Sequence, residues 1–264
     1  MDNTVEYINM RPRYMVERRD AMPVAYIGLG ILEWHGMHNP LGLDGIKAHG
    51  IACHLAKRLG GVVMPPNFWG DYRMEFAEVE FDADFRTDFS LPENHFDHTV
   101  HMSRLMGVEQ SAYLKDGERS KQYGGWELWE KLIVRVMFQI ETLGFKAIVM
   151  IPGHYPSCAA LDRAIERYIN EGGQCRILSL SELNFTDCDY TGDHAAATET
   201  SMMMALNPEL IDLDELDSDQ AKPNIGVIGL DPRTHASKEL GERILAKFTD
   251  LATDFLVGSG LLTP

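Results

Sequence analysis

A carboxylate and an imidazole one residue apart, Glu33 and His35, open the segment Glu-Trp-His-Gly-Met-His-Asn-Pro-Leu-Gly-Leu-Asp, which closes on Asp44. Side chains of these types ligate zinc, manganese and similar divalent ions. In extended backbone, residues two apart point to the same side, so Glu33 and His35 can aim at one locus. Gly36, Pro40 and Gly42 suit a tight loop that returns Asp44 to that locus. A carboxylate has two oxygens, so Asp44 can bridge two ions. The plain alternative is a polar loop held by ordinary hydrogen bonds.

Two later segments offer further ligands. His154 stands in Ile-Pro-Gly-His-Tyr-Pro-Ser, just beyond an apolar run. His194 and Glu199 stand in Gly-Asp-His-Ala-Ala-Ala-Thr-Glu-Thr-Ser, ahead of an apolar helix at 202–206. Glu199 in a first helical turn, with Thr198 or a neighbour as N-cap, also reads as simple capping. Other polar groups carry less. His95, His98 and His101 recur every three residues, but Phe96, Val100, Met102 and Leu105 around them indicate a half-buried helix. His49 and His54 read as packed or exposed positions of a helix. Met202, Met203 and Met204 read as core, and the acidic run 212–219 as a solvated surface. Gly28 and Gly30 lack the third glycine of a dinucleotide-binding loop.

The elements that must position these groups alternate. Residues 24–32 read as a buried strand and 45–59 as a helix with Ile46, Ile51, Leu55 and Leu59 at core-facing spacing. A short strand at 62–64 stops at Pro65-Pro66. A helix at 126–143, with Gly144 as its cap, precedes a strand at 146–151. Helix 157–171, strand 176–180 and a terminal helix 237–257 follow. Strand–helix alternation implies a mainly parallel sheet in one α/β domain spanning 1–264, with helices on both faces. Ligands gather beyond the carboxyl ends of such strands. That rule selects residues 33–44 and 153–157. Residues 68–125 fit the alternation poorly and read as an excursion that covers the site or makes subunit contacts.

Composition sets the remaining bounds. A net charge of −16 argues against nucleic acid and anionic membrane surfaces as partners. No apolar run approaches the roughly 20 residues needed to span a bilayer, and the N-terminus shows no signal-peptide pattern. Cys53, Cys158, Cys175 and Cys188 form no Cys-x-x-Cys pair. The expectation is a soluble cytoplasmic protein with reduced thiols.

The segment 33–44 resembles the Glu-x-His-Gly-x-His-x-Pro-x-x-x-Asp signature of the creatininase (creatinine amidohydrolase) family. Met64-Pro65-Pro66 with Gly70, Gly153-His154, His194 through Glu199-Thr200-Ser201, Asn207-Pro208-Glu209, and 229–236 with Gly241 follow in family order. The resemblance implies a three-layer α/β/α sandwich, two divalent ions per subunit (zinc or manganese) and a homohexamer. It implies Glu33, His35, Asp44 and His154 as metal ligands, with Asp44 bridging, and His194 as the proton-transfer group. Creatininase itself has a Glu two residues past its matching His; here that position is Pro156, so Glu199 becomes the expected remaining ligand. The family's His-Gly-Gly-Asn loop is His-Tyr-Pro-Ser here, a departure that argues against creatinine as substrate.

These residues suit hydrolysis of a C–N bond in a small cyclic amide by a metal-activated water. Trp34, His38 and Tyr155, with Trp69 and Trp126, are candidates to line its pocket. Two other readings share the scaffold. One opens a cyclic polyhydroxy-diketone of inosose type at a C–C bond with the same ions, and the other is a non-catalytic metabolite-binding protein.

Overall fold

The computed structural model describes residues 4–70, 99–185, 192–222 and 224–263. In chain order the elements are α1 (Pro12–Ala21), β1 (Val24–Leu29), α2 (Leu43–Leu59), β2 (Val62–Val63), α3 (Thr99–Leu105), α4 (Gln110–Tyr123) and α5 (Gly125–Thr142). They continue with β3 (Ala147–Pro152), α6 (Pro156–Asn170), β4 (Arg176–Ser179), α7 (Ala197–Leu206), α8 (Pro232–His235) and α9 (Lys238–Gly258). The strands form one parallel sheet in the order β2-β1-β3-β4. β1 and β3 are buried along their whole length, which explains why both read as unbroken apolar runs.

Alternate residues of each central strand face opposite layers. Val24 and Tyr26 of β1, with Ala147, Val149 and Ile151 of β3, pack under α2, α7 and α9. Ala25, Ile27 and Leu29, with Ile148 and Met150, pack under α5 and α6. The result is a three-layer α/β/α fold. The matching helices carry the expected stripes: Ala48, Ile51 and Leu55 on α2, and Ile133, Met137 and Ile140 on α5.

From β1 the chain crosses over one face through α2 to β2. From β3 it crosses over the other face through α6 to β4. The crossovers diverge between β1 and β3, and a crevice opens beyond their carboxyl ends. Leu29 pairs with Pro152 at that edge, so the segments carrying Glu33 and His154 leave the sheet side by side.

Two glycines bring α2 down onto this crevice. A Cβ on Gly30 would stand 2.2 Å from the Gly45 nitrogen, and one on Gly153 would stand 2.1 Å from the Asp44 carbonyl oxygen. Both obstacles are backbone and cannot rotate away. Gly153→Ala should therefore push the start of α2 outward. The expected cost is about 1–3 kcal/mol of stability, as for overpacking, and about 10²-fold in any activity that depends on Asp44. Gly258→Ala, which meets nothing within 4 Å, is the control. Urea melts and assays showing the two variants alike would refute this account.

The sequence-based boundaries hold with informative differences. Strand β1 ends at Leu29 instead of 32, because Gly30 already pairs with Asn67 and the chain turns into the crevice. Asp44 stands in the first turn of α2, where the sequence pattern places a loop. Gly144 adopts φ +91° after α5, as the cap reading requires. Helix α7 starts at Ala197, five residues before the apolar run that marks it. Of the 68–125 excursion, 71–98 lie outside the described residues, as do His95 and His98 of the three-residue histidine spacing. The described remainder contributes α3, α4 and the start of α5.

Candidate metal centre

Glu33 and His35 follow β1 in a loop closed by the Glu33 amide, which donates to the Leu41 carbonyl at 2.9 Å. That closure leads the chain directly into α2, whose first turn carries Asp44. A carboxylate in a first turn also satisfies the positive end of the helix, so its placement has a local cause. His154 leaves β3 two residues past Pro152, and Glu199 stands in the first turn of α7. All five side chains converge, and all are buried.

Asp44 divides its oxygens between the two sides of the cluster. Its Oδ1 lies 3.1 Å from His35 Nε2, and its Oδ2 lies 3.3 Å from His154 Nδ1. Glu33 Oε2 is 3.2 Å from His154 Nδ1, and Glu199 Oε2 is 3.7 Å from His35 Nε2. Three three-ligand groups result: Glu33–Asp44–His154 and His35–Asp44–Glu199, which share Asp44, and Glu33–His35–His194 at the open side. Glu33 Oε2, His35 Nε2 and Asp44 Oδ2 are buried and, beyond these contacts within the cluster, make no hydrogen bond. Such atoms are costly unless something else satisfies them. His35 Nδ1 lies 3.2 Å from the Glu33 carbonyl oxygen; a proton there leaves the Nε2 lone pair free for a cation. The donor set therefore fits divalent ions.

The electrostatics agree. Burial alone would depress His35, but Asp44, Glu199 and Glu33 raise it to about 9. Burial opposes ionisation of Asp44, yet the facing His35 and His154 hold it well below the usual carboxylate range. The pocket is a concentration of negative charge that calls for cations.

The structure also brings in residues that sequence reasoning missed. Lys47, one turn beyond Asp44 on α2, is fully buried, with Nζ 2.6 Å from Glu199 Oε1 and 3.1 Å from Glu182 Oε1. Among the described residues no other lysine or arginine is buried. A signal existed: Lys47 lies four residues after Leu43 and four before Ile51, inside the helix's own apolar stripe. Glu182 follows the end of β4, the position that the strand-end rule favours. Asp193 caps α7 by accepting from the amides of Thr198 and Glu199 at 2.7 and 3.1 Å, the role that the sequence suggests for Thr198. Burial and the charge of Glu199 push Asp193 up to about 7, against those two amides. Ala195 holds φ +55°, and its amide donates to Glu199 Oε2 at 2.7 Å. This strained turn aims the Glu199 carboxylate at His35.

The remaining sequence candidates divide. His194 borders the cluster: its Nε2 is 2.9 Å from the Trp34 carbonyl oxygen and 3.9 Å from Glu33 Oε1, and its ring lies 4.5 Å from that of His35. It is 23% exposed, whereas the five ligand candidates are closed off, so it stands on the solvent side. Trp34, between Glu33 and His35 in sequence, packs on Met102 and Ile225 and donates its indole N–H to the Ile225 carbonyl. His38 is buried with Asn39 and Thr200, and burial lowers it to about 4. The Tyr155 ring lies under Lys47 at 5.9 Å, and burial raises its hydroxyl well above the usual range. Trp126 stacks beside His154, while Trp69 is 70% exposed.

Fold and site define a class: a three-layer α/β/α protein with a buried carboxylate–imidazole cluster suited to metal at the switch point of a parallel sheet. The family model for creatininase, described as creatinine amidohydrolase, matches residues 125–256. This chain belongs to the creatininase family. A creatinine amidohydrolase of Pseudomonas putida is 25% identical over 253 residues, covering 84% of each chain. A crystal structure of creatinine amidohydrolase (creatininase) superimposes with a TM-score of 0.69, covering 98% of each chain at 19% identity. The structure titled "Creatininase Mn" gives 0.67 at 19% identity, covering 97% of this chain and 99% of that one. A glutamate-to-glutamine creatininase variant complexed with creatine gives 0.68 at 20% identity, with the same coverage. The signature at 33–44 lies outside the segment that the family model matches.

Proposed function

We propose that this protein is a metal-dependent amidohydrolase that cleaves a C–N bond of a small cyclic amide. The observation that carries this reading is the pair of ligand groups sharing Asp44. Glu33, Asp44 and His154 would hold one divalent ion, and His35, Asp44 and Glu199 a second, with zinc and manganese both suited to the set. Bound there, such ions supply Lewis acidity and lower the pKa of water toward neutrality. The chain's own residues do the rest. Asp44 fixes the spacing of the two groups by offering one oxygen to each. Lys47 holds Glu199 from behind, so the carboxylate presents Oε2 to the crevice. His194, on the open side, would take a proton from the attacking water and pass it to the leaving nitrogen, a role worth about 10²–10⁴-fold. Trp126 beside His154 offers an apolar wall for a planar ring. Pro156, which has no carboxylate, supports a cyclic amide other than creatinine. By the same reading residues 1–264 act as one domain within a homo-oligomer; family membership supports a hexamer.

The test is turnover of a panel of cyclic amides before and after chelation. Hydrolysis that disappears with the chelator and returns with zinc or manganese is the expected result. Opening of a polyhydroxylated cyclic diketone, with every cyclic amide left intact, would replace the C–N reading with C–C cleavage. Protein that binds no divalent ion and turns over neither class would sink both.

A further inference from the structure

A second group of ligand-type side chains forms around α2, separate from the residues of the first centre. His49 and Cys53 are four residues apart, so they share one face of the helix. Glu6 joins them from the N-terminal segment. His49 Nε2 is 3.0 Å from Glu6 Oε1 and 3.7 Å from Cys53 Sγ, and all three ligand atoms lie within 4.8 Å of one another. Bond lengths of about 2.0 Å to nitrogen or oxygen and about 2.3 Å to sulfur give tetrahedral edges of about 3.3 and 3.5 Å around zinc. The observed separations are close to those edges before any ion is considered.

The scaffold behind these atoms is firm. Glu6 is pinned beside the sheet by a parallel bridge to Val63, and its amide donates to Thr4 Oγ1. His49 and Cys53 sit mid-helix, where Gly50 lets Leu206 of α7 pack close. Sites on regular elements hold ligand geometry better than sites on loops. The three side chains line one wall of a cleft of about 700 Å³, together with His54, Lys57, Arg58, Phe68 and Asn207. An ion can therefore enter, and a fourth ligand can come from water. His54 is engaged with Thr249 and stays outside the set.

We propose that Glu6, His49 and Cys53 form a separate binding site for a single zinc-type ion. Thiolate, imidazole and carboxylate together favour zinc over magnesium or calcium. Binding transfers the Cys53 thiol proton to solvent and leaves carboxylate, thiolate and divalent ion with no net charge. Burial and the neighbouring Glu6 push this thiol up to about 11, so the ion replaces a bound proton and does not meet a free thiolate. The site ties the N-terminal segment to α2 and has no part in the hydrolytic reading.

Cobalt(II) titrated into the full chain tests the proposal, because no candidate ligand of the first centre is a cysteine. The expected signal is a thiolate-to-cobalt charge-transfer band that saturates at one ion per chain and is lost in Cys53→Ser. Zinc content should fall by one ion in Cys53→Ser and in Glu6→Gln, with turnover unchanged. In the unmutated protein, zinc should shield Cys53 from alkylation, a readout that needs no variant. A missing band, a band that survives Cys53→Ser, or alkylation at the same rate with and without zinc would each overturn the site and identify Glu6–His49 as an ordinary hydrogen-bonded pair.

Discussion

Asp44→Asn should empty both halves of the centre and lower turnover by at least about 10³-fold. Asp44 is the one residue common to the Glu33–Asp44–His154 and His35–Asp44–Glu199 groups proposed to hold the ions, so its loss cannot be confined to one ion. Asparagine keeps the shape but replaces one ligating oxygen with an NH₂ donor and removes the charge. The oxygen that remains can face His35 or His154, not both. If the ions supply several kcal/mol of transition-state stabilisation, about 4 kcal/mol corresponds to the stated factor. Glu33→Gln gives the graded comparison: it weakens the His154 side and leaves His35, Asp44 and Glu199 in place, so about one ion should remain. Elemental analysis of both variants beside kcat/KM provides the readings. A melt adds a third, since chelation should lower the Tm of the unmutated protein and barely move that of Asp44→Asn. Full metal content with full turnover in Asp44→Asn would remove the basis of the proposed centre.

Lys47→Met should strongly destabilise the metal-free protein. Methionine matches the length of the lysine stem, so packing on α2 is largely kept and the charge is what disappears. Its removal leaves Glu199 and Glu182 buried without their cation, and breaking a buried pair in this way costs about 3–5 kcal/mol. The pH dependence has a definite sign. Burial works against ionised Glu199, but Lys47 and then His35 hold it below the usual carboxylate range. A depressed carboxylate adds stability that is present above its unfolded pKa of about 4.3 and fades as pH falls through the lower folded value. Without Lys47 the largest source of that depression is lost, and Glu199 takes up a proton at higher pH. The deficit of the variant should therefore be largest near neutrality and shrink as pH falls toward 5. Urea melts of chelator-treated protein at the two pH values measure it, and adding Glu199→Gln to Lys47→Met should recover part of the loss. A variant within 1 kcal/mol of the unmutated protein at neutral pH, on the scale of these magnitudes, would show that the ammonium does not balance these carboxylates.

The two kinds of information divide along physical lines. Local pattern determined what local forces govern. The apolar runs of β1 and β3 require burial on both faces, the α2 and α5 stripes require a sheet beneath them, and Gly144 marks a helix end because few other residues accept its backbone conformation. Residue type and order nominated Glu33, His35 and Asp44 and offered His154 and Glu199, and the resemblance to the creatininase family joined the five into one ligand set.

What only the tertiary structure decided is who meets whom. Lys47 and Glu199 lie 152 residues apart, and nothing near either of them announces the pair. Asp44 faces two imidazoles because Gly30 and Gly153 let the backbone of α2 settle on the strand ends. Trp34 is nominated for the pocket by its neighbours in sequence, and only the fold shows that its indole donates to the Ile225 carbonyl, 191 residues away. His49 read as an ordinary helical position until the N-terminal segment laid Glu6 beside it. The sequence determined the segment 33–44 as a source of ligands. The packing of α2 and α7 over the switch between β1 and β3 made it a centre, because charge interactions decay with distance and only the fold brings these charges within a few ångströms.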